Sequence, residues 1–131
     1  MTTLTATVQD IYANFGKGNI PPIVALFADD IRFAHDGGPD VPYAKDRHGK
    51  AEAAAFFSDL AATVEVTQFV VEHCVEQGDT VVALGRWAGR ARNTGKSFAC
   101  EWAMRWTFAA GKVTLYRSFH DTLAMAKAFA A

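Results

Sequence analysis

The sequence has few of the features that mark secreted, membrane or nucleic-acid-binding proteins. It contains two cysteines, Cys74 and Cys100, far apart and without a CxxC motif, so we expect buried free thiols rather than a disulfide or a metal site. No apolar run approaches the roughly 20 residues that span a bilayer. The net charge of −1 gives little attraction for nucleic acid. The N-terminal MTTLTATVQD shows no basic and then apolar signal pattern, so we expect a cytoplasmic protein with no nucleic acid or membrane partner.

The composition and the apolar spacing fit a single globular domain over residues 1–131. Half of the residues are hydrophobic and 12% are aromatic, enough for a core of its own. Apolar residues at helical spacing predict a first helix that ends at GKG, a short second helix in PPIVALF that Asp29 and Asp30 end, and an Ala-rich third helix from Lys50 to Thr63. The segment DGGPDVPYAKDRHG is predicted to be a loop. The last ten residues form either a short helix or a frayed tail.

After the third helix the apolar period changes to two, the period of β-strands. Strands are predicted from Val64 to Glu76, Thr80 to Arg92, Ser97 to Ala109 and Lys112 to Asp121. An earlier strand follows the second helix and places Ile31, Phe33 and His35 on one face. The apolar phase slips near Gln68, which predicts a bulge. The expected fold is α+β: a cone-shaped barrel with three helices packed on a curved, mainly antiparallel sheet.

One predicted strand has an unbroken apolar face that the helices must cover. Its inward residues are Phe98, Cys100, Trp102, Met104, Trp106 and Phe108. On the flanking strands the expected inward rows are Val82, Leu84, Arg86 and Ala88, and Val113, Leu115, Arg117, Phe119 and Asp121. These rows would line a cavity, with His120 pointing outward. The reverse rows, with Trp87, Ala103 and Tyr116, would leave the outer sheet face partly apolar, which predicts a homodimer through that face.

Several segments together resemble the SnoaL-like branch of the nuclear transport factor 2-like superfamily. They are IVALFADDIRF, VPYAKDRHG, GDTVVALGRWAG and GKVTLYRSFHD, and the resemblance covers nearly the whole chain. It implies an α+β cone with a mixed, curved sheet, a first strand that pairs at an edge, and a dimer. The superfamily includes ketosteroid isomerases, polyketide cyclases and epoxide-hydrolase-like enzymes, so the resemblance names a fold but no single reaction.

The resemblance allows the functional positions of these enzymes to be compared one by one. Where ketosteroid isomerase has a base Asp, a Tyr and a second acid, this chain has His35, Ile11 and Met104, so steroid isomerisation by that mechanism is not expected. Arg86 and Asp121 match the Arg and one Asp of the epoxide hydrolases, whereas their other Asp is alanine here. The polyketide cyclases use an acid near Asp121 as a general base, which needs only one carboxylate in an apolar cavity.

Two main classes of function follow from these positions. The first is a cofactor-independent and metal-independent enzyme that acts on a small apolar carbonyl or epoxide-like substrate, with Asp121, His35 and Arg86 as catalytic residues. The side chains expected around a small apolar or aromatic ligand are Tyr12, Phe15, Phe33, Tyr43, Phe56, Trp102, Met104, Arg117 and Phe119. The second is a non-catalytic module that binds an apolar metabolite in the same cavity. A protein adaptor that uses the outer sheet face is a third.

Each candidate catalytic residue also has a structural interpretation. Asp121 precedes TLAMAKAF, where an Asp caps free N–H groups of a helix. His35 can be a hydrogen-bonded strand end, and Arg86 can form an ion pair within the sheet.

Overall fold

The computed structural model describes residues 3–131, in which four helices pack on one six-stranded sheet. The elements are α1 (Leu4–Gly16), α2 (Pro21–Ala25), β1 (Phe27–His35), β2 (Asp46–His48), α3 (Lys50–Thr63), β3 (Val64–Gln77), β4 (Thr80–Ala91), β5 (Ser97–Ala109), β6 (Lys112–His120) and α4 (Thr122–Phe129). The sheet order is β2-β1-β6-β5-β4-β3. β1 runs parallel to β6, and the other neighbours are antiparallel. The curved, unclosed sheet confirms the predicted α+β class. Among residues 3–131, none of the helices has the length and hydropathy that crossing a membrane requires.

Two predicted boundaries near the start of the chain are wrong. β1 begins at Phe27, because this buried ring pairs with Val113 of β6, and Asp29 and Asp30 lie inside the strand rather than ending a helix. The predicted loop contains the short strand β2. It pairs with β1 at three positions, beginning with Arg32 opposite His48. β1 is therefore an inner strand, not the edge strand that the resemblance implied.

The bulge expected in β3 is confirmed, whereas a further shift in β3 between Val71 and His73 and a bulge in β6 were not expected. In β3 the register shifts between Val66 and Gln68. In β6, Phe108 of β5 pairs with Val113 and Thr107 pairs with Leu115, so Thr114 is an extra residue. One extra residue reverses the alternation of every side chain that follows it, because the side-chain period of a strand is two.

The β6 bulge changes which side chains face the helices. The inner positions after the bulge are Tyr116, Ser118 and His120. The predicted inward positions of Leu115, Arg117, Phe119 and Asp121 are therefore wrong, as is the predicted outward position of His120. Phe119 is 46% exposed on the outer side.

The predicted phase of β4 is also wrong, because two glycines of β4 lie opposite large rings of β5. Trp102 pairs with Gly85 and Phe98 pairs with Gly89, and directly paired residues share a face. A Cβ atom at Gly85 would collide with the carbonyl oxygen of Val70 and the Trp102 ring. The buried row of β4 is Val81, Ala83, Gly85, Trp87, Gly89 and Ala91. The predicted row of Val82, Leu84, Arg86 and Ala88 faces outward.

The last helix packs against β4 and β5, and hydrogen bonds hold it at both of its ends. The Asp121 carboxylate accepts a hydrogen bond from the Ala124 N–H at 3.0 Å and caps the helix. At the other end, Asn93, Thr94 and Lys96 of the β4–β5 turn donate to carbonyl oxygens of residues 128–130. α4 is thereby held against the sheet, with Met125, Ala128 and Phe129 buried.

Candidate functional site

An aromatic cavity lies between the helices and the inner face of the sheet. Its walls are Ile11, Tyr12, Phe15, Ile23, Phe33, Phe56, Phe57, Leu60, Phe69, Trp87, Trp102, Met104, Trp106 and Tyr116. Three polar side chains complete the lining: His35, Ser118 and His120. The cavity volume is about 50 Å³. A water needs roughly 10–15 Å³ of such space, so the cavity has room for a few waters.

The three polar side chains of the lining come from two adjacent parallel strands. His35, the last residue of β1, pairs with Ser118 of β6, and His120 ends β6 opposite Trp102 of β5. The two imidazole rings face each other with centroids 4.9 Å apart. His35 also stacks on Phe56, at a centroid distance of 5.1 Å. The sheet register thus gathers Trp102, Ser118, His35 and His120 in one part of the cavity, which we call the polar corner.

The polar corner contains hydrogen-bonding atoms that find no partner in the protein. These atoms are His35 Nδ1, Trp102 Nε1, Ser118 Oγ and both ring nitrogens of His120. Native proteins pair most buried polar atoms, and an unpaired one costs about 1–3 kcal/mol. Such a concentration of unpaired atoms in one cavity indicates a place for a polar group of a ligand.

Both histidines of the polar corner are neutral at pH 7. The pKa of His35 is lowered to about 3, chiefly by burial and also by the neighbouring His120 and Arg47. Burial also lowers the pKa of His120, but Asp36 and Asp121 raise it and oppose the effect of burial. Among the described residues no carboxylate lines the cavity. The titratable groups of the lining are therefore neutral imidazoles and, because burial raises the pKa of Tyr12 and Tyr116, neutral phenols.

Tyr12 of α1 lies beside Trp102, with ring centroids 5.5 Å apart, and its hydroxyl already has hydrogen-bond partners. Its oxygen accepts a hydrogen bond from Trp106 Nε1 at 3.0 Å, and its O–H donates to the Met104 sulfur at 3.1 Å. Burial raises the pKa of Tyr12 well above its ordinary value. Tyr12 is therefore a fixed, neutral part of the wall.

Arg47 is a buried cation beside the cavity that the sequence analysis did not single out. Its Nη2 donates to Asp59 Oδ2 at 2.8 Å and to the Tyr43 carbonyl at 3.2 Å, and its Nη1 donates to the Glu52 carbonyl at 3.3 Å. The guanidinium also lies 5.7 Å from the centroid of the Phe56 ring. Arg47 thereby joins the segment before β2 to α3, directly behind the aromatic wall.

The structure places the predicted ligand-contact residues in two groups. Those that line the cavity are Tyr12, Phe15, Phe33, Phe56, Trp102 and Met104. Tyr43, Arg117 and Phe119 are not part of the lining. Tyr43 is fully buried behind His35, with ring centroids 5.2 Å apart. Arg117 pairs with Asp36 at 3.0 Å and covers the exposed Phe119 ring.

The predicted catalytic trio is not assembled. His35 lies in the cavity, whereas Arg86 is exposed on the outer sheet face, 3.4 Å from Gln68 Oε1. Asp121 is exposed and caps α4. A mechanism that pairs His35 with Asp121 across the cavity therefore has no geometric support, and the helix-cap interpretation of Asp121 is confirmed.

Sequence reasoning missed Ser118 and His120 because it missed the β6 bulge. The signal was present: Leu115 and Tyr116 are adjacent apolar residues, which breaks the alternation as it does near Gln68. The described residues contain no group of three or more His, Cys, Asp or Glu side chains arranged to hold a metal ion. Cys74 and Cys100 are free, partly buried thiols.

Comparison with known proteins identifies related sequences and structures. The family model described as SnoaL-like domain matches residues 8–116. A nuclear transport factor 2-like protein from Burkholderia thailandensis is 30% identical over the full length of both chains, with a TM-score of 0.89. One from Burkholderia xenovorans is 32% identical over 94% of this chain and 92% of its own, with a TM-score of 0.84. TerC, co-crystallized with polyporic acid, is 22% identical over 93% of this chain and 94% of its own, with a TM-score of 0.81. No curated protein matches the chain.

Proposed function

Because this chain belongs to the SnoaL-like domain family, we propose that it binds a small, largely apolar molecule in the aromatic cavity and moves a proton on it without a cofactor. The observation that carries the proposal is His120, whose ring lines the cavity with both nitrogens buried and unpaired. The TerC complex with polyporic acid supports it, since that protein has the same fold and takes up a small organic ligand.

We assign the role of base to His120 rather than to His35. A neutral imidazole with an unpaired nitrogen accepts a proton from an acidic C–H that lies beside a carbonyl group. The positive charge that then forms on His120 is favoured by Asp36 and Asp121, which raise its pKa. His35 has no such support, because its pKa is about 3 and Arg47 disfavours its charged form. His35 is therefore better suited to a hydrogen bond with the ligand.

The polar corner also supplies donors for the oxygen that gains negative charge. When the C–H proton moves to His120, the electron pair of that bond shifts toward the carbonyl oxygen and gives an enolate. The Trp102 N–H and the Ser118 O–H are unpaired donors beside His120 that can stabilise this oxygen. His120 then returns its proton to the same or another carbon, which corresponds to exchange or isomerisation.

The proposal is tested by hydrogen exchange on a simple enolisable ketone. With 1-phenylpropan-2-one in D₂O, we expect the protein to accelerate deuterium incorporation beside the carbonyl, followed by NMR. His120→Asn should reduce the rate about a hundredfold or more, as removal of a general base does. The exposed His73→Asn is the matched control and should exchange like wild type. Equal rates for His120→Asn and wild type would refute the assignment.

The non-catalytic binding module is the second candidate, and the absence of any carboxylate from the described cavity lining favours it. It predicts that the same ketone binds, shown by shifts of the Trp102 indole N–H resonance, but that deuterium incorporation stays at the rate of the buffer. The exchange experiment therefore separates the two candidates.

We also propose a homodimer through the outer sheet face, although two residues on which the sequence prediction rested, Trp87 and Tyr116, line the cavity instead. Leu84, Ala103 and Phe119 are successive partners across β4, β5 and β6 and form an apolar row. Leu84 is 39% exposed and Phe119 is 46% exposed. Glu101 and Arg105 flank this row with charges of opposite sign, which suits self-association. Sedimentation equilibrium should give the dimer mass for wild type and the monomer mass for Ala103→Glu. A monomeric wild type would refute this proposal.

A further inference from the structure

The hydrogen-bonding atoms of the polar corner restrict the ligand more than the cavity shape does. The Trp102 indole can only donate. A neutral imidazole has one donor and one acceptor, so His120 offers both from its two unpaired nitrogens. The Ser118 hydroxyl offers either. A ligand that satisfies the corner must therefore accept hydrogen bonds and also donate one.

Charge restricts the ligand further. The cavity lining of the described residues contains no Lys, Arg, Asp or Glu, and its two histidines are neutral. The nearest buried cation, Arg47, is already paired with Asp59 at 2.8 Å. An anion moved from water into such a site loses its hydration and finds no opposite charge, which costs several kcal/mol. The site therefore disfavours a carboxylate.

Size decides how the ligand enters. The cavity volume of about 50 Å³ is smaller than the roughly 150 Å³ of a cavity that holds benzene, so an aromatic ligand must displace side chains. Phe15, Phe57 and Phe69 are the partly exposed phenylalanine rings of the lining, and they come from α1, α3 and β3. Phe15 lies 5.1 Å from Phe69 and 6.3 Å from Phe57 between ring centroids. These rings have the least burial to lose when they turn outward.

From these observations we infer that the ligand is an uncharged enolic carbonyl compound, which carries a carbonyl acceptor and a hydroxyl donor on one edge and an apolar body. The donor–acceptor edge faces Trp102, Ser118 and His120, and the apolar body lies among the aromatic rings. This inference rests on the proposed function, since it specifies the molecule on which the proton moves. It adds that a simple ketone or a carboxylate of the same shape is a poorer ligand.

Three probes of nearly equal shape separate these possibilities. Benzamide is uncharged and carries both a donor and an acceptor, acetophenone is uncharged and carries an acceptor alone, and benzoate is an anion. Dissociation constants are measured by titration at pH 8, with the Trp102 indole N–H resonance as a local report. We expect benzamide to bind about tenfold or more tightly than acetophenone, which is the contribution of one good hydrogen bond, and benzoate not to bind.

Variants of the polar corner test whether the preference arises there. His120→Phe removes both the donor and the acceptor of the imidazole, so the N–H of benzamide loses its acceptor and the benzamide and acetophenone affinities should come together. His73→Phe, at an exposed position outside the cavity lining, is the matched control and should retain the preference. If acetophenone binds wild type as tightly as benzamide, or benzoate binds most tightly, the ligand class is wrong while the proposed binding in the cavity stands. If none of the three probes binds, both the ligand class and the proposed function fail.

Discussion

Two groups of buried polar side chains lie on either side of Phe56, and they differ in how their hydrogen bonds are made. Arg47 is 3% exposed, and both of its Nη atoms donate to groups of the chain itself, although its Nε has no partner. Ser118 is 0% exposed and His35 is 6% exposed, yet the corner they form leaves its polar atoms without protein partners. A polar side chain that is buried for folding forms hydrogen bonds within the protein, whereas one that binds a ligand has polar atoms left free for the ligand.

The largest loss of folding stability should come from Arg47, whose two Nη atoms have protein partners. Arg47→Met keeps most of the side-chain volume but leaves two carbonyls and the Asp59 carboxylate without their donor. We expect a loss of about 3 kcal/mol in the free energy of unfolding, the low end for a broken buried ion pair because Asp59 can still reach water. Urea denaturation measures it. Arg32→Met, which breaks an exposed pair with Asp46, should cost less than about 1 kcal/mol.

The second prediction concerns His35, whose burial should make the free energy of unfolding depend on pH. The pKa of His35 is about 3 in the folded protein and near 6.5 when unfolded. Above pH 6.5 both states are neutral and the full stability is present. Below it the unfolded state binds a proton that the folded state does not, so the free energy of unfolding falls with decreasing pH. The slope is about 1.4 kcal/mol per pH unit for one group. Between pH 6 and pH 4 wild type should lose more stability than His35→Phe, by about 2 kcal/mol. Parallel curves for the two proteins would contradict the burial of a neutral His35, and the exposed His73→Asn should follow wild type.

Asp121 gives a smaller effect, which separates its role as a cap from a role in catalysis. Asp121→Ala removes the acceptor for the Ala124 N–H and should cost about 1 kcal/mol of stability. Asp121→Asn should retain that stability, since Asn caps as well as Asp. Asp121→Asn should also retain most of the proton exchange, because the residue lies outside the cavity lining. A complete loss of exchange in Asp121→Asn would restore it as the base.

The smallest effect on folding should come from Ser118. Its hydroxyl has no partner in the protein, so Ser118→Ala should change the free energy of unfolding by less than about 0.5 kcal/mol or raise it slightly. The same variant should weaken benzamide binding about fivefold, as the loss of one neutral hydrogen bond does. A strong destabilisation would show that the hydroxyl serves folding and would remove the contrast with Arg47.

The sequence was sufficient for the fold because most elements follow local rules. The bounds of α3 and β5 agree with the pattern, since the Ala-rich helical stretch and the alternating aromatic row leave no competing interpretation. β2 was missed because a strand of three residues has too few positions to show a period.

The site was predicted less well, because it depends on which face each residue of a strand occupies. His35 was found from simple alternation in β1, but the orientation of His120 depends on Thr114, the extra residue that shifts the rest of β6 after it. The phase of β4 depends on its partner strand: Gly85 and Gly89 face inward because the rings of Trp102 and Phe98 need their space. The face that these residues occupy is thus determined by pairing between strands, and the pattern within a single strand does not show it.

The pairing of Trp102 with Gly85 also determines how the cavity can be redesigned. The indole lies over a residue without a side chain, so nothing in β4 would fill the space that a smaller residue leaves. Trp102→Leu would join that space to the existing cavity instead of letting the strands collapse together. Because Gly85 has no side chain, the size of the residue at position 102 sets the size of the cavity. During evolution, relatives could therefore change the size of their ligand by one substitution at this position without altering the sheet.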